Sequence, residues 1–279
     1  MPPAAIRICL VVLASATLLS VAPAVAQPLG RPAADVYADD QSDRYVGTGG
    51  LVLPRSVDHG TREHVAGCLS CEWRLAAPCV VSTAGVPFPG QSVCQSVVRG
   101  CPATGELLRA WIRQPSQPWR EIGLVCVGEG GPVTVSDLGR RAREQFVRDL
   151  PDLLAGFQPG RGVLAQVPVI FSSGQAGEPV SGVYSLLGET VTVSGTPAWT
   201  WQFGDGAALS TTDTGGPYPH AAVSHAYRRA GSFGVSVVTR WEATFTVGDL
   251  GPYPVAGSID QDDRVVVAVG EGRAVLAVR

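Results

Sequence analysis

The sharpest alternation in the chain is Trp199-Thr-Trp201-Gln-Phe203, where every second residue is a large aromatic. A period of two places Trp199, Trp201 and Phe203 on one face of a half-buried strand. Apolar runs rich in β-branched and aromatic residues recur through the C-terminal half at Val163–Phe171, Tyr184–Val193, Trp199–Phe203, Phe233–Val247 and Arg264–Val269. Gly, Pro, Ser and Asp separate them. Short strands at regular spacing with turn signals between them predict a β-sandwich over 163–279.

Upstream the pattern changes twice. Leu138, Ala142, Phe146, Leu150 and Leu153 or Leu154 recur at helical spacing, which predicts a helix from Ser136 to about Phe157. Ser136 or Asp137 is the expected cap and Pro151 the expected end or kink. Arg140, Arg141, Arg143 and Arg148 fall on its other face and read as solvated surface rather than an anion site. Gln158-Pro-Gly-Arg-Gly162 then marks a boundary, so 131–162 reads as a helical connector and 163–279 as a module able to fold alone; the alternative is a helix packed on the sandwich through Leu138, Phe146 and Leu150, with the boundary near Pro132. Glu106–Ile112 and Trp119–Val127 alternate around Pro115 and Pro118, as expected of a hairpin with both prolines in its turn. The polar stretch from Gln27 and the weakly patterned one from Tyr45 to Val65 together read as a flexible lead-in over 27–66.

Composition adds a compartment. Residues 1–26 carry one Arg, a continuous apolar or small run from Ile8 to Ala22, and Ala24-Val-Ala26, the three parts of a cleavable signal peptide. The run is short for a membrane span, so no stable insertion is expected after cleavage. Cys9 leaves with that segment. The other six cysteines, Cys68, Cys71, Cys79, Cys94, Cys101 and Cys126, all lie in the region 67–130 and predict three disulfides in a small β-rich domain. Cys94 with Cys101 is the pairing their short separation favours. All 21 basic residues are Arg, which suggests GC-rich bacterial coding, and the chain has no Asn to carry an N-linked glycan. A net charge of −3 and the lack of a basic run give no electrostatic footprint for nucleic acid.

One motif points to a family. The aromatic strand runs into Gly204-Asp205-Gly206, and about twenty residues on come His225-Ala-Tyr227 and Gly231-Ser-Phe233-Gly-Val235. This resembles the PKD domain, with its W-x-F-G-D-G turn, H-x-Y and G-x-Y-x-V-x-L segments. Gln202 replaces the usual Asp, Phe233 stands where Tyr is usual, the insert between Gly206 and His225 is long, and the last apolar run continues through Trp241 and Phe245. The resemblance implies an Ig-like sandwich found mostly outside the cytoplasm, acting as a spacer or as a contact for protein or carbohydrate.

Candidate chemistry changes this reading little. Asp205 fits a turn residue better than a Ca²⁺ ligand, since one carboxylate cannot fill that ion's oxygen shell. His59, His64, Cys68 and Cys71 have a Zn²⁺-like spacing, and Cys68-x-x-Cys71 a redox-like one, but an exported cysteine set favours disulfides. No Gly-x-Ser-x-Gly elbow occurs. The six Trp residues read mainly as core. Loops carry binding in sandwiches, so Tyr218 and His220 are the expected contact residues. The sequence therefore predicts a mainly β, secreted, non-catalytic binding, adhesion or scaffolding protein without cofactor or metal. Its expected partner is an extracellular protein or carbohydrate. A secreted hydrolase with a catalytic Cys-rich half is the alternative.

Overall fold

A computed structural model describes residues 43–78, 81–83, 86–88, 101 and 104–272. The chain runs β1 (Asp43–Thr48), α1 (His59–Gly67), β2 (Glu72–Ala76), β3 (Val81–Thr83), β4 (Val86–Phe88), β5 (Glu106–Arg113), β6 (Arg120–Val127) and α2 (Val135–Asp149). There follow β7 (Gly156–Gln158), β8 (Val163–Leu164), β9 (Val169–Ser172), β10 (Val180–Leu186), β11 (Glu189–Gln202), β12 (Ala208–Thr211), β13 (Ser224–His225), β14 (Gly231–Val247), β15 (Leu250–Pro254) and β16 (Ile259–Gly270). The protein is mainly β, as its patterning predicts.

The Cys-rich half is an antiparallel sheet in the order β1-β2-β5-β6. One face buries Trp73, Leu75, Leu108, Ala110 and Val125 beneath Leu51, Leu53 and Val65. On the other, Trp111 and Trp119 meet Ala76, and the guanidinium groups of Arg74 and Arg113 lie 4.8 and 4.6 Å from the Trp119 ring centroid. The expected β5–β6 hairpin is present. The flexible lead-in ends earlier than expected, because residues 43–66 supply β1 and most of α1. Asp58 caps that helix, its Oδ1 accepting from Thr61 N at 2.9 Å. Only Val65 and Ala66 give its nine residues buried apolar side chains, too few to leave a periodic trace.

Helix α2 starts one residue before the expected Ser136 and ends well short of Phe157, since Pro151 stops it. Its cap is Thr134 rather than Ser136 or Asp137. Thr134 Oγ1 accepts from Asp137 N at 3.1 Å and donates to Asp137 Oδ2 at 2.7 Å. Two further sequence expectations change. The run Val163–Phe171 breaks into β8 and β9 around Gln166, whose φ is +65°. The run Tyr184–Val193 is two strands, β10 and β11, folded about Leu187-Gly188.

The long antiparallel pair β11–β14, in register from Val191 opposite Val247 to Gln202 opposite Ser236, forms the spine of the C-terminal half. Its two ends have different covers. At one end β12 and β16 extend the sheet, and the small sheet β13-β9-β7 closes a sandwich around Phe171, Trp199, Trp201, Phe203, Tyr227 and Val235. At the other, β10 and β15 extend it, and α2 lies across it, packing Leu138, Ala142, Phe146 and Leu150 on Val191, Val193, Trp241 and Phe245. A Cβ on Gly195 would stand 2.6 Å from Phe146 Cζ, so glycine there lets the helix approach the sheet. Residues 131–162 are thus not a free connector: α2 belongs to the core of the module it precedes, and a cut at 162 would uncover one end of the spine. Arg62 of α1 adds a polar tie, a bidentate pair with Asp249 in the β14–β15 turn at 2.9 and 2.5 Å.

Between the two cores lies a buried polar seam. Gln175 Nε2 donates to Pro151 O at 2.9 Å and to Gln261 Oε1 at 2.8 Å, while its Oε1 accepts from Trp199 Nε1 at 3.0 Å and Thr239 Oγ1 at 2.8 Å. Gln261 Oε1 also accepts from Trp241 Nε1 at 2.9 Å, and Gln261 Nε2 donates to Pro151 O at 3.0 Å. All four bonding positions of the Gln175 amide are filled, as a buried amide requires.

Candidate functional site

Strand β11 delivers Trp199, Trp201 and Phe203 to the sandwich core and then turns at Gly204-Asp205-Gly206. Gly204 has φ +82°, and a Cβ there would lie 2.6 Å from Gly234 O, so the turn needs glycine on both counts. Asp205 is a turn residue. Its Oδ1 accepts from Ala207 N at 3.1 Å and its Oδ2 pairs with His225 Nε2 at 2.8 Å. Burial alone would raise its pKa, but the His225 and Ala207 bonds outweigh burial and hold it below the usual carboxylate range. His225 stacks on Phe203 at 4.4 Å and meets Tyr227 edge-on. Tyr227 donates to Phe203 O at 3.1 Å and stacks on Phe233 at 4.3 Å. Burial and the nearby Asp205 charge push its hydroxyl up to about 12. Gly231 opens β14, and Val235 is fully buried. The motif residues are therefore framework, and they set the base from which the next loop projects.

That loop, between β12 and β13, presents Tyr218 with 79% of its surface exposed, the largest fraction among the exposed large apolar and aromatic side chains of the described residues. The backbone beneath it is braced. Asp213 Oδ1 accepts from Gly215 N and pairs with His220 Nε2, both at 2.9 Å. Those two bonds hold the Asp213 carboxyl below its usual range. Tyr218 N donates to Gln158 Oε1 at 3.1 Å, and His220 N to Pro217 O at 2.9 Å. Thr214 Oγ1 donates to Gln175 O, which joins the loop to the buried seam. An aromatic ring held out on a braced loop can stack on a ligand while losing little freedom of its own. Sequence reasoning found Tyr218 and His220 but not the seam. Gln175 lies in a Ser- and Gly-rich loop and Gln261 among aspartates, so neither setting signals a buried seam.

The cysteines are placed in part. Cys68 is bonded to Cys71, and Cys101 to Cys126. The first bond ties the end of α1 to the start of β2, which removes both thiolates from the Zn²⁺-like set. The second replaces the expected Cys94–Cys101 pairing, because β5 and β6 lay Cys126 opposite Leu107, beside the start of the hairpin that Cys101 approaches. Cys79 and Cys94 lie outside the described residues. All six Trp side chains are buried. A cleft of about 570 Å³ between the Cys-rich sheet and the start of α2 is floored by Leu51, Leu53, Leu75 and Val125, with Arg141 and Glu189 among its charged lining residues.

These features define an Ig-like β-sandwich, disulfide-bonded upstream, whose most exposed ring sits on a rigid loop. Residues 172–240 match the family model of the PKD domain, from the end of β9 to the middle of β14. The chain thus carries a PKD domain, a module of the extracellular adhesion and binding type, and its disulfides are also typical of extracellular proteins. No curated protein and no solved structure matches the chain significantly. No helix among the described residues is long and apolar enough to cross a membrane.

Proposed function

We propose that the chain is an exported, non-catalytic binding or scaffolding protein of the bacterial envelope or extracellular space. It contacts protein or carbohydrate through the PKD module, with Tyr218 at the centre of the contact and His220 beside it. The observation that carries this reading is the pairing of a 79% exposed Tyr218 with a loop tied down by Asp213, Gln158 and Gln175. The apolar leader at residues 8–22 and the cysteine set support export.

The test compares the protein with its Tyr218→Ala variant on a glycan array and in pulldowns from the envelope fraction of the producing cell. Loss of the retained ligand by ~10-fold or more, at an unchanged melting temperature, is expected of an exposed aromatic anchor. Equal retention of the same ligands by both proteins would remove Tyr218 from the contact.

A further inference from the structure

Most sheet edges among the described residues are guarded. Strand β1 has a register break between Asp43 and Tyr45 and carries Arg44. Strand β6 opens with Arg120-Glu121 and pairs through a bulge. Strand β15 holds Pro252 and Pro254, and β7 is three residues long and stops before Pro159. The side of β16 left open by the short β8 carries Asp260, Asp262, Asp263 and Arg264. Strand β12 has only four residues. These are the devices that keep a sheet from recruiting another strand.

Strand β10 carries none of them within its own span, although Pro179 precedes its first residue. It is seven residues long, Val180-Ser-Gly-Val-Tyr-Ser-Leu186, with no charge, no proline and no bulge in its pairing with β11. It ends the sheet order, so its outer backbone groups have no strand partner among the described residues. Its midpoint, Val183, is 69% exposed.

We propose that β10 is a homodimer edge, pairing antiparallel with β10 of a second copy about a twofold axis at Val183. The strand is self-complementary in that register. Val183 meets Val183 and Ser181 meets Ser185, so each position on the solvent face finds a partner of its own kind. Helix α2 already covers the other face of β10, with Tyr184 donating to Asp149 Oδ2 at 2.7 Å, so the strand enters the pairing held in place. The dimer joins two sheets edge to edge and carries two Tyr218 loops, which gives a bivalent binder.

Sedimentation velocity over a concentration series tests this on the whole protein. The wild type should dimerise reversibly, and its β10 amides should gain hydrogen-exchange protection as concentration rises. Val183→Lys sets two cations face to face and should weaken association by ~100-fold or more. Val183→Glu should do the same, and an equimolar mixture of the two variants should form the heterodimer. Val266→Lys, at a similarly exposed valine on β16, should leave the dimer intact. A wild type that stays monomeric overturns the proposal, whether β10 is then bare or taken by a foreign extended peptide. So does a Val183→Lys variant that dimerises like wild type, or a mixture that fails to associate.

Discussion

The two ends of the β11–β14 spine are built from the same pair of strands yet solve burial differently. At the sandwich end the cover is another sheet, and six of the fourteen buried core residues are aromatic, with Phe171 5.6 Å from Trp201 and 5.3 Å from Phe203. At the helical end the cover is α2, and the fill is aliphatic apart from Phe146, Trp241 and Phe245, with Phe146 edge-on to Trp241 at 6.2 Å. A strand's period-two pattern fixes which face is buried but not what buries it. The sandwich end draws on β8, β9, β11, β14 and β16 and carries the family motif. The helical end gathers α2, β10, β11, β14 and β15 from across the sequence, and without α2 its apolar face would be open to water.

Removing the cover is the harshest test of that contrast. A fragment of residues 162–279 should lack cooperative melting and bind a hydrophobic dye, since Val191, Val193, Trp241 and Phe245 lose their partners. A fragment from residue 132, which retains α2, should melt cooperatively. If both fragments melt alike, α2 is dispensable and the sandwich end sustains the spine alone.

Single truncations sharpen the comparison. Trp201→Ala and Phe146→Ala each empty a fully buried aromatic site, one per core, and each should cost ~3–5 kcal/mol in denaturant unfolding. The spine joins the cores, so both variants should still unfold in a single transition. Two separate transitions in either one would show that the seam does not couple the ends.

The seam itself comes next. Gln175→Leu keeps the approximate volume but strands Trp199 Nε1 and Thr239 Oγ1, and it should cost about 2–3 kcal/mol. A variant as stable as wild type would mean that water or a shifted Gln261 satisfies those donors.

The smallest effect is acid sensitivity. Asp205, Asp213, Asp249 and Asp260 all have carboxyl pKa values held below the ordinary one, by His225 with Ala207 N, His220 with Gly215 N, Arg62 and Arg240. A depressed folded-state pKa adds stability above the unfolded value and loses it as pH falls through the folded one. The denaturation midpoint should therefore hold at neutral pH and drop below pH ~4. Asp249→Asn should shallow that drop. A slope unchanged by this substitution would mean that the α1 tie to the β14–β15 turn carries none of it.

The sequence by itself determined the mainly β class, the aromatic strand, the Gly-Asp-Gly turn, the β5–β6 hairpin and the inward face of α2. Each rests on neighbours within a few residues: alternation, glycine at a positive φ, or apolar spacing of three and four. It also marked Tyr218 and His220, because a Pro- and Gly-rich insert between strands must run over the surface. Tertiary structure decided the rest. Helix α1 has too little apolar periodicity to show, and β10 and β11 read as one run because the turn at Leu187-Gly188 interrupts neither's hydrophobicity. That α2 covers the spine, that Gln175 and Gln261 share Pro151 O, that Cys101 bonds Cys126 and that Arg62 reaches Asp249 are all contacts between distant segments. Local pattern says that a side chain must be buried or paired, and only the folded chain chooses its partner.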